Sequence, residues 1–211
     1  MALSRQAAVA SVSACVGYYL GSEKNQIMAA YAKAKGMLGF RPKTVDLSNA
    51  SDVLEEALKL TRSTPQSCGI LSTKQPGGVA ARMVQLREPF GAHCKGDNVC
   101  IHFFTSTSSR KFKELSDDPA AAILYWNPDT LTYVTFQGKA EKLPSAEEKS
   151  FWREWMQILY QDTKLFSAWR LDVQRVQVVS IGRIESFRKD WKPVELQRAS
   201  DGWEVVCDGR E

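Results

Sequence analysis

Histidine is scarce in this 211-residue chain, with only two, and the five cysteines form an odd set without any Cys-x-x-Cys spacing. A disulfide framework is therefore not expected. Both histidines sit in one short stretch, His93-Cys94 and Cys100-Ile101-His102, around the turn Lys95-Gly96-Asp97-Asn98. The two arms can face each other across a hairpin, but alternation along a strand sends neighbours to opposite faces, so about half of the four would converge. No metal site is expected. Also missing are a Ser/His/Asp order, HExxH, a Walker loop and GxGxxG, so hydrolase, zinc-protease and nucleotide-kinase chemistry have no support. There is no 20 to 50 residue repeat and no low-complexity run.

A large charge excess of one sign is absent too. The formal net charge is +4, but residues 1–45 hold Arg5, Lys24, Lys33, Lys35, Arg41 and Lys43 against one acid, Glu23. The remaining chain is close to neutral, which argues against a surface that tracks a nucleic-acid backbone. The longest uncharged run, residues 7–21, falls short of the ~20 residues a spanning helix needs. Its setting, poor in acids and rich in Ala, Ser and spaced bases, is the composition of an organelle transit segment, mitochondrial or plastid, with a secretory signal or a packed amphipathic helix as alternatives. Residues 1–45 are read as a leader and linker, and 46–211 as one folded domain of ordinary composition.

Within that domain, Asp52-Val53-Leu54-Glu55 has capping-box spacing ahead of Ala57, Leu58 and Leu60, which predicts a helix ending near Arg62. Strands are expected over 68–73 and 79–86 around the turn Pro76-Gly77-Gly78, then over 99–105, 120–126 and 131–143. Gly138 is expected to form a bulge. A short helix is expected over 109–115, and a longer one from Ser145 to about Tyr160. The latter's Phe151, Trp152, Trp155, Ile158 and Leu159 read as core or dimer contact. An alternating stretch from Ala168 to Phe187 and a strand over 203–207 complete the chain. Many short antiparallel strands with few helices point to a small β-barrel.

The most telling stretch runs from Phe103 to Lys111. A strand end, Phe103-Phe104-Thr105, leads into Ser106-Thr107-Ser108-Ser109 and then Arg110-Lys111. Hydroxyls and backbone N–H groups at a helix start, with two adjacent cations, are suited to an anion such as a phosphate. Arg82, inside the strand pattern Ala81-Arg82-Met83-Val84-Gln85-Leu86, would touch the same ligand from a second side. The competing reading has Arg110 and Lys111 solvated and Arg82 paired with a carboxylate.

Arg82 to Arg87, Phe103 to Lys111 and Gly138-Lys139-Ala140-Glu141-Lys142-Leu143 stand in an order and spacing that resemble the pyridoxamine 5′-phosphate oxidase-like flavoproteins, over roughly residues 50–180. Ser109-Arg110-Lys111, the Asp118-Pro119 pair and Tyr125 to Asp129 are closest to the general-stress-protein branch. The resemblance implies a split β-barrel of about six antiparallel strands with flanking helices, a homodimer, and FMN held in clefts at the subunit interface. It implies that Arg82 and the backbone of Met83, Val84 and Gln85 lie along the flavin and its phosphate. Phe104 and Thr105 would border the ribityl and isoalloxazine region, and Ser109, Arg110 and Lys111 would hold the phosphate. Two positions depart from the oxidases: Tyr133 stands where they carry a flavin-contacting Gln, and Val179 where they carry a Trp. No Arg-x-His follows before Glu211. The implied protein is an FMN-dependent oxidoreductase acting on a small molecule, pyridoxamine phosphate itself being disfavoured. The alternative is a non-catalytic carrier or stress protein for flavin or haem, with His93 or His102 as the haem ligand.

Overall fold

The computed structural model describes residues 47–63, 68–86, 90–95, 98–127, 132–160, 162–180 and 193–208. The expected leader, and the part of the alternating stretch beyond residue 180, lie outside these. Nine strands form one antiparallel sheet: β1 (Cys68–Gln75), β2 (Gly78–Gln85), β3 (Gly91–Lys95), β4 (Asn98–Ser106), β5 (Ala120–Asn127), β6 (Thr132–Lys142), β7 (Phe166–Ser180), β8 (Val194–Ala199) and β9 (Gly202–Asp208). Among the described residues three α-helices accompany them: α1 (Ala50–Ser63), α2 (Arg110–Asp117) and α3 (Ser145–Phe151). The architecture is a split barrel with more strands than the six expected, because β3 pairs with β4 and a further hairpin, β8–β9, closes the chain.

The strand order β2-β1-β5-β6-β7-β4-β3 shows how the barrel splits. Strand β7 is 15 residues long and keeps β6 on one side from Trp169 to Ser180. Its other side is shared, with β4 against Phe166–Asp172 and β8 against Arg175–Val178. Gly138 makes the bulge that the sequence predicts: the β6–β7 register shifts between Gln137 and Gly138. A Cβ there would lie 1.9 Å from the Asp172 carbonyl oxygen, so only glycine lets the two backbones approach.

Alternation fills the barrel. On β4, Val99, Ile101, Phe103 and Thr105 point inward and are buried, while Cys100, His102, Phe104 and Ser106 point out. They meet Leu71, Ile123, Phe136, Leu171 and Val176 in one core, and α1 adds Val53, Ala57 and Leu60 at helical spacing. The start of α1 differs from the expected capping box. Asn49 is the cap, its Oδ1 accepting from the Ser51 and Asp52 amides at 3.0 and 3.5 Å, so the helix begins before Asp52.

The expected long helix from Ser145 is a second difference. It stops at Phe151, because Trp152 takes an extended conformation (φ −65°, ψ 134°), and a 3-10 turn covers Glu154–Ile158. No side-chain cap forms at its start; Glu148 instead accepts the Ala168 amide at 2.8 Å. Breaking the helix lets Phe151, Trp152, Trp155 and Tyr160 fold onto the outside of β4 and β7, around Phe90, Phe104, Met156 and Phe166. A continuous helix would have spread these rings along one stripe. The stripe is thus packed, except for its tip, where Ile158 and Leu159 stay exposed.

Candidate functional site

The hydroxyl-rich segment after β4 folds as a helix start. Ser109 is the N-cap of α2: its Oγ accepts from the Phe112 amide at 3.2 Å, and it shares a 2.7 Å hydrogen bond with the buried Thr105 hydroxyl. Ser106 and Ser108 pair at 2.8 Å, and Thr107 is tied to the 163–165 turn by its amide to Leu165 O at 2.9 Å. These bonds fix the loop. The first two helical residues, Arg110 and Lys111, have N–H groups with no intrahelical partner, and they find none elsewhere among the described residues. Two orphan donors and two cations therefore share the positive end of the helix.

Arg82 joins this corner from β2, but not as a free cation. Its Nη1 and Nη2 donate to the two carboxylate oxygens of Glu114 on α2, both at 2.7 Å. Thr73 on β1 completes the group, donating to Glu114 Oε2 at 2.6 Å and accepting from Arg82 Nη1 at 3.0 Å. The arrangement is well shielded, with the Arg82 and Glu114 side chains 21% and 10% exposed. Hydrogen bonding from Arg82 holds the Glu114 carboxyl below its usual range, aided by Thr73 and by the charges of Arg82 and Arg110, and opposed by burial. On Lys111 burial lowers the ammonium pKa, and the nearby Arg82 charge lowers it further. Arg82, Arg110, Lys111 and Glu114 thus form one electrostatic cluster. Arg82 thus pairs with a carboxylate, as the competing sequence reading has it, while its charge is felt at Lys111.

The other expected site residues are distributed by strand alternation. Met83 is 68% exposed and Gln85 is also exposed, whereas Val84 is buried in the barrel. All three lie on β2, a strand paired on one side only, by β1, so its free edge keeps backbone groups available among the described residues. The Phe104 ring packs in the outer aromatic cluster, 4.7 Å from Phe90, and the Thr105 hydroxyl is taken by Ser109. What these two residues can offer a ligand is backbone. Glu114 and Thr73 are functional candidates that the sequence reading missed. A carboxylate beside Leu115 on the buried side of α2 was the one available signal, and nothing local links it to Arg82, 32 residues earlier.

Two further features border the corner. On the outer face Met83 opposes Ile70, which opposes Leu124, and Met83 and Ile70 are exposed, as are Val79 and Trp126. Beside this apolar row runs an open groove of about 930 Å³ that crosses the sheet past Ser72, Ala122, Gln137, Arg175 and Gln197. It meets the cationic cluster only at Thr73. The His93/Cys100/His102 neighbourhood does form across β3–β4, with His93 opposite Cys100. No three metal-type side chains converge there or elsewhere among the described residues. Tyr133 and Val179 turn out to be direct cross-strand partners, with Trp126 on the far side of Tyr133.

Comparison with known proteins gives the family and the fold. A family model described as pyridoxamine 5′-phosphate oxidase matches residues 54–180, which include β1 to β7 and the whole cationic cluster. A pyridoxine/pyridoxamine 5′-phosphate oxidase of Nostoc sp. is 31% identical over 93 residues, covering 44% of this chain and 40% of the relative. The chain thus spans less than half the length of the curated relatives it matches. Among solved structures, a Clostridium acetobutylicum protein related to general stress protein 26 is similar with a TM-score of 0.54 at 14% identity, covering 71% of this chain and 96% of that one. PhzG from Burkholderia lata 383, solved with tetrahydrophenazine-1-carboxylic acid, is similar with a TM-score of 0.55 at 16% identity, covering 75% and 91%.

Proposed function

Given that the chain belongs to the pyridoxamine 5′-phosphate oxidase family, we propose that it binds FMN and serves as a flavin-dependent oxidoreductase for a small molecule. The observation that carries this reading is the start of α2, where Arg110, Lys111 and two orphan amides lie together and Arg82, held on the same helix by Glu114, adds its charge. A phosphate monoester needs two or three charge-assisted partners to leave water, and this donor set supplies them. The donors fit the group. Ser109, Arg110 and Lys111 would hold the phosphate, Arg82 would reach it from β2, and the free β2 edge at Met83, Val84 and Gln85 would run beside the rest of the cofactor, with the backbone of Phe104 and Thr105 on its other border. Bound FMN supplies hydride and electron transfer, and the chain supplies binding, orientation and the local field.

Tyr133 and Val179, standing where the oxidases carry Gln and Trp, support a substrate other than pyridoxamine 5′-phosphate. Haem fits less well than FMN. It would want two propionate contacts and an axial imidazole, and both nitrogens of His102 are enclosed by protein. The exposed Ile70–Met83 pair and the adjoining groove support a homodimer, since an apolar row of this kind is a natural seat for a second copy. The basic, acid-poor residues 1–45 support delivery to a mitochondrion or plastid.

The test is a visible spectrum of the purified full chain followed by flavin titration. Flavin bands are expected, and Arg110→Ala/Lys111→Ala should weaken FMN binding at least a hundredfold with an unchanged far-UV circular dichroism spectrum, since each lost charge-assisted bond is worth about 1.5–3 kcal/mol. A Soret band, or unchanged FMN affinity in the double variant, would defeat the assignment. Turnover assays with NADH, NADPH and pyridoxamine phosphate then separate an enzyme from a carrier.

A further inference from the structure

Glu114 is an acid in the middle of a site for an acid. A carboxylate so close to Arg82, Arg110 and Lys111 subtracts from the field that would draw a phosphate in, and the simple Coulomb expectation is that removing it strengthens anion binding. The hydrogen-bond geometry argues the other way. Glu114 takes Arg82 end-on, one carboxylate oxygen to each terminal nitrogen at 2.7 Å, and Thr73 takes the remaining proton of Nη1 at 3.0 Å. A guanidinium has a second fork, formed by Nε–H and the outer Nη2–H. That edge has no partner among the described residues.

Resting on the cofactor reading above, we propose that Glu114 is a positioning residue: with Thr73, it clamps the end-on fork of Arg82 so that the Nε/Nη2 edge is presented to the phosphate of the bound cofactor. Arginine carries large rotamer entropy, and a side chain already locked by a buried carboxylate has lost it before the ligand arrives. The clamp therefore exchanges some net positive charge for preorganisation. Arg110 and Lys111 retain the uncompensated charge that the phosphate requires. Lysine at position 82 would keep the charge but could not serve two anions with two planar forks.

Titration of the full chain with FMN and with riboflavin, which lacks the phosphate, tests this. The wild type should prefer FMN. Glu114→Ala should weaken FMN binding about tenfold and leave riboflavin binding unchanged, and Arg82→Lys should lose a similar factor. The double variant should lose no more than the worse single one, because both remove the same oriented edge. FMN affinity that is unchanged or tighter in Glu114→Ala overturns the proposal in favour of the Coulomb expectation. Should Glu114→Ala not fold, Arg82→Lys decides: wild-type FMN affinity there overturns it equally. A preference for FMN that Arg110→Ala/Lys111→Ala abolishes while Glu114→Ala and Arg82→Lys keep it at its wild-type magnitude overturns this inference alone. A wild type that binds FMN and riboflavin alike overturns the phosphate assignment and the inference with it.

Discussion

Acid should loosen this fold at one identifiable imidazole. His102 lies on the outer face of β4, with Gly91 of β3 on one side and Arg170 of β7 on the other. Its ring sits 4.8 Å from Phe151 and 5.0 Å from His93, and neither ring nitrogen is hydrogen-bonded. Burial is the main force pushing its pKa from 6.5 down to about 4, and the charges of His93 and Arg170 push the same way. The folded state thus favours neutral His102, while the unfolded chain takes up a proton near pH 6.5. Stability is complete above pH 6.5 and is lost as pH falls towards 4, below which both states are protonated and the loss is constant. The ceiling for that gap is about 3.4 kcal/mol. The ring is only partly withdrawn from water, and screening brings the expected loss to about 1.5 kcal/mol. Urea unfolding of the wild type and His102→Leu at pH 7.5, 5 and 4 measures it. Carboxylates titrate in both proteins, so the difference between the two isolates His102. The wild type should lose about 1.5 kcal/mol more than the variant between pH 7.5 and 4. Equal pH dependence in the two proteins would refute the reasoning.

Gly138→Ala should destabilise the chain by about 3 kcal/mol, because the added Cβ meets backbone of Asp172 and Val173 that cannot rotate away; a midpoint shift below that of an ordinary surface substitution in thermal or urea unfolding would contradict the bulge. Ile70→Glu/Met83→Glu should turn a dimer into a monomer by sedimentation without loss of β-sheet signal, as like charges are set opposite each other on the exposed row. A wild type that already sediments as a monomer would remove the case for that interface.

Much of this corner is legible in the sequence. The short helix after the hydroxyl run and the two cations at its start follow from local rules, since helical apolar spacing and an adjacent strand are each settled within a few residues, while the structure makes Ser109 the cap rather than the first helical residue. The Gly138 bulge is readable for the same reason, whereas β3 is not among the strands the sequence predicts. The long helix expected after Ser145 does not form at full length. Its residues have helical spacing, but packing of Trp152, Trp155 and Tyr160 on the outside of β4 and β7 stabilises the broken form more than propensity favours the continuous one.

Hydrophobic period, capping and motif spacing are properties of neighbouring residues, so the alternating strands, the cationic corner and the family resemblance can all be read along the chain. The partner of Arg82 is settled only by packing between distant segments. That carboxylate is 32 residues away, on a helix brought against β1 and β2 by barrel closure, and no periodicity records which acid a strand cation will meet. The enclosure of His102 and the shared flank of β7 arise in the same way. Burial and ion pairing are set by surfaces that meet only when distant segments pack, and there a shielded charge must find its counter-charge.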